Sequence, residues 1–226
     1  TSSGVLRKVK STELSRPPGL TLKAPEPGTL EKLQGMFENL SLHTICENAA
    51  CPNAGECFGQ QTATFLILGD LCTRNCRFCN VTHARPSLPD PAEPEHLAAA
   101  VKELGLKYVV LTSVTRDDLP DGGAQHFAAC INRLHAVCPE TEVEVLVPDF
   151  QGDESAVETV LMARVTVFGH NVETVPELYQ TVRPGADYQR SLAVLRAAKV
   201  IKPDVFTKSG LMLGLGEEPD QVRQVL

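Results

Sequence analysis

Six of the eight cysteines of this 226-residue chain lie between Cys46 and Cys79, and that crowding limits what the chain can become. A disulfide scaffold is typically small, secreted and loop-rich. This sequence instead carries long helix- and strand-like patterns, and its N-terminus lacks the charged, then apolar, then small-residue order of a secretory signal. Metal or iron–sulfur ligation in a reducing compartment is the better reading, and a cytoplasmic protein is expected. The crowded cysteines fall into two triplets: Cys46, Cys51 and Cys57 spaced C-x4-C-x5-C, and Cys72, Cys76 and Cys79 spaced C-x3-C-x2-C.

Around the triplets, apolar periodicity alternates between strand and helix. Residues 1–29 hold Pro and Ser with little periodicity, as expected of an N-terminal extension that wraps the domain or is partly disordered. Residues 30–42 place Leu30, Leu33, Phe37 and Leu40 at helical spacing. Strands are predicted at 64–68, 108–111, 142–147, 165–168 and within 205–213. Helices are predicted at 95–104, behind Pro94 and ended by Gly105, and at 124–137, 155–162 and 187–199. The last of these shows an apolar face at Leu192, Leu195 and Ala198. Such alternation argues for an α/β fold with a parallel sheet curled into a barrel or part of one. Glu217 to Asp220 looks like a helix start, and the apolar stripe from Val222 to Leu226 stops without a cap, so further barrel elements are expected beyond Leu226. The expected division is an extension at 1–42, a cysteine loop at 43–62 and a partial barrel of about five strands at 63–226.

The chemistry follows from the thiolates. Three thiolates on one tight loop can hold three irons of a 4Fe–4S cluster and leave the fourth iron open for a ligand. A zinc loop is the alternative; it needs a fourth ligand, and His83 lies four residues after Cys79. The earlier triplet contains Pro52 and Gly55, so it is a turn-rich loop able to gather its sulfurs. Taken alone it is either a structural metal clasp or a functional cluster, and beside the later triplet two clusters become the economical reading.

The stretch from Cys46 to Cys79, containing TATFLILGDLCTRNCRFC, resembles the lipoyl synthases of the radical S-adenosylmethionine superfamily. The similarity continues through TSVTRDDLPDGGAQHF, VEVLVPDF, HNVETVPELY, VRPGADYQRSL and TKSGLMLGLGE. It implies a TIM-like (βα)6 barrel. It also implies that Cys72, Cys76 and Cys79 are catalytic, holding the cluster whose open iron binds S-adenosyl-L-methionine. Cys46, Cys51 and Cys57 would hold an auxiliary 4Fe–4S cluster that is consumed as the sulfur source when C6 and C8 of a protein-bound octanoyl chain are converted to lipoyl. Implied partners are octanoylated lipoyl carrier proteins, namely the E2 domains of 2-oxoacid dehydrogenases and the glycine cleavage H protein, with flavodoxin or ferredoxin as electron donor. A net charge of −7 and the lack of a long apolar run make nucleic acid and membrane unexpected partners. The sequence departs from the family where Asn75 replaces a frequent Gly and Phe58 a frequent Trp, and it does not reach the Arg-Ser-Ser-Tyr stretch whose serine completes the auxiliary site in the family.

Further candidates are less specific. Thr112, Ser113, Asn171 and Glu173 fall at predicted carboxyl ends of strands, where such barrels bind ligands. They are expected to hold the ribose and methionine ends of S-adenosylmethionine, or else only to cap strands and helices. Phe78 is expected to offer backbone contacts to adenine. Arg116-Asp117-Asp118 with Gly122-Gly123 forms either a loop over the site or a plain cap and turn, and Lys208 and Arg190 either meet a carboxylate or are solvated. Cys130 is expected to be an ordinary buried residue and Cys138 an ordinary one. The remaining histidines show no ligand spacing and are expected mostly on the surface.

Overall fold

In the computed structural model the described residues are 40, 42–44 and 62–226. Cys46, Cys51, Cys57 and Phe58, and most of the helix predicted at 30–42, lie outside them. Five strands run parallel in the order β2 (Thr62–Ile67), β5 (Tyr108–Ser113), β6 (Glu142–Leu146), β7 (Val167–Gly169) and β8 (Phe206–Lys208). A two-residue strand β1 (His43–Thr44), which periodicity did not reveal, pairs antiparallel with β2 through His43↔Leu66 and Thr44↔Phe65. A second small sheet pairs β3 (Leu71–Cys72) with β4 (Thr82–His83). The connections carry α1 (Glu93–Leu104), α2 (Ala124–Val137), α3 (Glu154–Met162), α4 (Tyr179–Val182) and α5 (Tyr188–Ile201), and α6 (Pro219–Val225) follows β8. This is the parallel α/β wall that the alternation predicted.

Local chemistry explains the boundaries. Pro94 and Glu93 open α1, and Gly105 closes it at φ 60°, a left-handed cap that glycine takes without a Cβ penalty. Asp153 and Asp187 cap α3 and α5 by accepting from the Ser155 and Arg190 backbone N–H groups. Along the strands Phe65, Ile67, Val109, Leu111, Val143 and Val145 point to the helices and are fully buried with Leu97, Phe127, Ile131 and Leu134. Alternation sends Leu66, Thr112 and Leu146 to the other face, where they line a cavity.

Three expectations change. The fifth strand ends at Lys208 because the chain leaves the ladder at Ser209-Gly210; only an isolated bridge, Glu173↔Leu211, continues it. In α5 the buried stripe is Ser191, Val194, Ala197 and Ala198, while Leu192 and Leu195 are half-buried. The Ser191 hydroxyl bonds inward to Tyr179 and Arg183, and this turns the small residues toward the core. Among the histidines with described side chains only His83 is exposed; His96, His126 and His135 are half-buried and His170 is fully buried. His126 and Cys130 stand one helical turn apart, and with Glu93 their ligand atoms lie within 4.8 Å of one another, so this pair does have ligand spacing. Glu93 is already engaged, accepting from Leu68 N at 2.9 Å and meeting His126 Nε2 at 2.5 Å. No described helix is long and apolar enough to cross a membrane.

His170 gives a pH prediction. Its ring sits at 0% exposure with Nδ1 2.8 Å from Val147 O, and burial pushes its pKa down to about 4. In the unfolded chain it protonates near pH 6.5, so its neutral burial costs nothing above that pH. Stability is lost as pH falls through 6.5 toward about 4, by up to roughly 3 kcal/mol. Urea unfolding of wild type and His170→Asn at pH 7.5 and about pH 4.5 should show a smaller acid loss in the variant.

Candidate functional site at the cysteine loop

Strand β2 ends in a buried left-handed residue, Leu68 (φ 68°), followed by Gly69 (φ 86°). The Leu68 amide donates to Glu93 and its carbonyl accepts from Arg116 Nη1 at 3.2 Å, so the turn is held from both sides. Gly123 makes room for it, because a Cβ there would sit 2.4 Å from Leu68 Cδ1. Arg116 itself is buried, with Asp118 and the Ser87 carbonyl as further partners. The run 116–118 with Gly122-Gly123 therefore shapes the turn into the cysteine loop.

The chain then leaves β3 at Cys72, carries Cys76 and Cys79, and returns through β4. All three cysteines are free thiols. Cys72 Sγ accepts from the backbone N–H groups of Thr115 at 3.3 Å and Arg74 at 3.4 Å, and Cys79 Sγ accepts from Val81 N–H at 3.5 Å. Such N–H···S bonds orient the sulfurs. The loop is sewn to the barrel by Thr73 N–H donating to Thr115 O and by Arg77 N–H donating to Val182 O. His83, the fourth ligand of the zinc alternative, is exposed in β4 with Nδ1 3.2 Å from Cys72 O.

Arg74, inside the loop, is the strongest tie and was missed by sequence reasoning. Its side chain is 6% exposed. Nε and Nη2 donate to Asp117 at 2.6 and 2.8 Å, and Nη1 and Nη2 donate to the fully buried Asp149 at 3.0 and 2.7 Å. Burial pushes the Asp149 carboxyl up, but the Arg74 guanidinium outweighs it and holds the group below the usual range. Removing one partner of a buried pair strands the other charge. Arg74→Ala is expected to cost about 3–5 kcal/mol of stability, read by urea unfolding of the cluster-free protein.

Between this loop and the carboxyl ends of the strands lies a cavity of about 500 Å³. Cys72, Cys76 and Cys79, with Phe78, Thr112, Ser113, Asn171 and Glu173, all line it. Thr112 Oγ1 donates to Leu146 O at 2.9 Å, while the buried Ser113 Oγ has no partner among the described residues. Asn171 packs on Gly210, where a Cβ would lie 2.9 Å from its Oδ1. Glu173 holds φ 65°, and its backbone is locked by Glu173 N–H donating to Gly210 O and Met212 N–H to Glu173 O, both at 2.9 Å. Strain locked in this way is characteristic of ligand sites. Burial raises the Glu173 pKa, opposed by the Asn171 amide and Arg183. Burial also pushes the Cys76 thiol up; Arg183 pulls it down, and the neighbouring Cys72 and Cys79 sulfurs push it up again. Three sulfurs close enough to repel as thiolates suit a shared cationic centre, and a cavity of this size suits a small organic ligand beside it. Lys208 and Arg190 meet protein carboxylates, Glu144 at 2.7 Å and Asp149 at 3.3 Å.

The model of the radical SAM superfamily matches residues 66–226. Over 214 residues the chain is 53% identical to a lipoyl synthase of Caldicellulosiruptor saccharolyticus, which covers 95% of this chain and 75% of that protein. It is 52% identical over 208 residues to a lipoyl synthase of Alcanivorax borkumensis, covering 92% of this chain and 64% of that one. Among solved structures the fold is similar to methylornithine synthase (TM-score 0.55, 15% identity, 85% of this chain and 54% of that one). It is also similar to the hydrogenase maturase HydG (TM-score 0.58, 15% identity, 88% and 43%).

Proposed function

The chain belongs to the lipoyl synthase family of the radical S-adenosylmethionine superfamily, whose members are sulfur-inserting enzymes, and from that membership we propose what its residues do. The complete protein inserts two sulfur atoms, at C6 and C8, into an octanoyl group carried on a protein domain. Membership implies S-adenosylmethionine and one 4Fe–4S cluster; we assign that cluster to Cys72, Cys76 and Cys79 and a second one to Cys46, Cys51 and Cys57. When bound, these groups supply the one-electron chemistry that takes hydrogen from an unactivated carbon, and the sulfur that replaces it.

The observation that supports this reading most is convergence: three free thiols of one loop share a cavity with Thr112, Ser113, Asn171 and Glu173, which come from two different strand ends. The three thiolates bind the cluster, and the N–H donors at Cys72 and Cys79 orient their sulfurs. Arg74 keeps the loop in one geometry. Ser113, Asn171 and Glu173 offer polar groups for the hydroxyls and ammonium of S-adenosylmethionine, and Phe78 would offer backbone contacts to its adenine. Leu66, Val114, Leu146, Val147 and Met212 give the same cavity an apolar wall that suits an alkyl chain and excludes water.

The auxiliary triplet has a positional argument. The β1–β2 pairing anchors both ends of the segment 45–61, which carries Cys46, Cys51 and Cys57, and Leu66 of that pairing lines the cavity. We take 1–42, 43–62 and 63–226 as extension, auxiliary loop and barrel. The five described cysteines are free thiols, in keeping with a reducing cytoplasm. Partners are octanoylated E2 domains or H protein, with flavodoxin or ferredoxin as reductant.

The test is anaerobic reconstitution of the complete protein, followed by reductant, S-adenosylmethionine and an octanoyl-lysyl peptide, with products read by mass spectrometry. Lipoyl peptide is expected. Reductive cleavage with an unchanged peptide, or sulfur delivered to dethiobiotin instead, would move the chain to another sulfur inserter. Bound zinc without iron would make it a metal-binding scaffold.

A further inference from the structure

Away from the cysteine-loop cavity, α1 and α2 bring three side chains with metal-binding atoms together. Glu93 stands in the first turn of α1, and His126 and Cys130 stand one turn apart on α2. Their ligand atoms all lie within 4.8 Å of one another. Cys130 is a free thiol at 0% exposure, Glu93 is buried, and the His126 side chain is only 12% exposed. Glu93 Oε2 accepts from Leu68 N–H and meets His126 Nε2, which fixes the carboxylate, while Oε1 makes no hydrogen bond among the described residues. Two donors four residues apart share one helix face, and a third donor from the neighbouring helix turns that pair into a partial metal cage.

The donor set fits zinc. Carboxylate oxygen, imidazole nitrogen and thiolate sulfur are the ligand types of tetrahedral zinc sites, and a mixed set of this kind disfavours calcium and magnesium. Bond lengths of about 2.0–2.3 Å place the ligand atoms about 3.3–3.8 Å apart, so side-chain shifts of about 1 Å close the site. Charge also balances. One carboxylate and one thiolate neutralise a divalent cation, and a buried charge is tolerated only when paired. Without a cation, burial and the Glu93 carboxylate push the Cys130 thiol up, so the incoming ion displaces its proton to solvent. Arg116, which reaches the same turn through Leu68 O, is already matched by Asp118. A second cavity, of about 230 Å³, supplies the way in: Leu68, Ser87, the exposed Leu88, Asp90 and Glu93 line it, so it reaches the carboxylate from solvent.

We propose that Glu93, His126 and Cys130 form a zinc site, with water from the adjoining cavity as the fourth ligand. The ion joins α1 to α2 and, through the Leu68 amide, to the left-handed turn from which the chain enters the cysteine loop. The site is separate from the six cysteines assigned to clusters and does not depend on the reaction proposed above.

The experiment dialyses the complete, cluster-reconstituted protein against buffered zinc, so that iron occupies the six clustered cysteines while zinc is offered. Zinc and iron per chain are then counted by elemental mass spectrometry. Wild type should take up about one zinc without losing iron, and X-ray absorption at the zinc edge should show about one sulfur and about three nitrogen or oxygen ligands. Cys130→Ser and His126→Gln should each weaken zinc binding by more than about 100-fold, because each removes a ligand outright. Cys138→Ser, which removes a thiol outside the site, should leave zinc binding unchanged. Circular dichroism without zinc reports that each variant is folded, and the zinc-edge spectrum of wild type needs no variant at all. No zinc on folded, iron-loaded wild type at micromolar free zinc overturns the proposal. So does zinc surrounded by several sulfurs with iron lost, which places it on the clustered cysteines, or undiminished zinc affinity in Cys130→Ser.

Discussion

Replacing Cys72, Cys76 and Cys79 together by Ala is expected to halve the iron of the reconstituted complete protein, from about eight to about four atoms, and to take reductive cleavage of S-adenosylmethionine below detection. The effect is large because a cluster with no thiolate on this loop has no ligand set, and the chemistry has no side-chain substitute. The fold should survive the change. Cys79 is exposed, Cys72 and Cys76 are half-buried, and the Arg74–Asp149 and Arg77–Val182 ties of the loop are untouched. Circular dichroism should therefore overlay with wild type. Continued cleavage in a folded triple variant would refute the assignment of this triplet.

Replacing Cys46, Cys51 and Cys57 should produce the opposite split. Iron again falls to about four atoms, but S-adenosylmethionine is still cleaved on addition of reductant, since the cavity residues and their loop are intact. No sulfur reaches the octanoyl chain. The expected products are 5′-deoxyadenosine and octanoyl or desaturated peptide, resolved by chromatography and mass spectrometry. Lipoyl peptide from this variant would remove the sulfur-donor role from the triplet.

What the sequence made legible, and what it did not, follows the range of the interactions. The triplet Cys72, Cys76 and Cys79 could be singled out because its spacing lies within one short loop, and the fold places all three on one cavity. Helix α1 was readable because Pro94 and Gly105 are local signals at its two ends. Strand β8 was read too long, since Gly210 leaves the ladder to make room for Asn171, a partner far away in the chain. Arg74 and Arg183 were not singled out in the sequence, because their meaning depends on Asp149, Tyr179 and Ser191, which only the folded barrel brings near. The histidines were expected mostly at the surface, and the burial of His170 likewise follows from tertiary packing beside Val147. Glu173 was placed among the candidates by its position after a strand, but its left-handed backbone was not foreseeable from the residue type.

The measurement that addresses the central claim most directly follows the sulfur. The complete protein is reconstituted with heavy-isotope sulfide, freed of unbound sulfide, and allowed one round of reaction with S-adenosylmethionine, reductant and octanoyl-lysyl peptide. A lipoyl peptide in which both sulfurs carry the heavy isotope, at no more than about one per chain, is the predicted result, because the sulfur comes from a cluster on the protein. Unlabelled sulfur in the product, or cleaved S-adenosylmethionine with an untouched octanoyl chain, would contradict it.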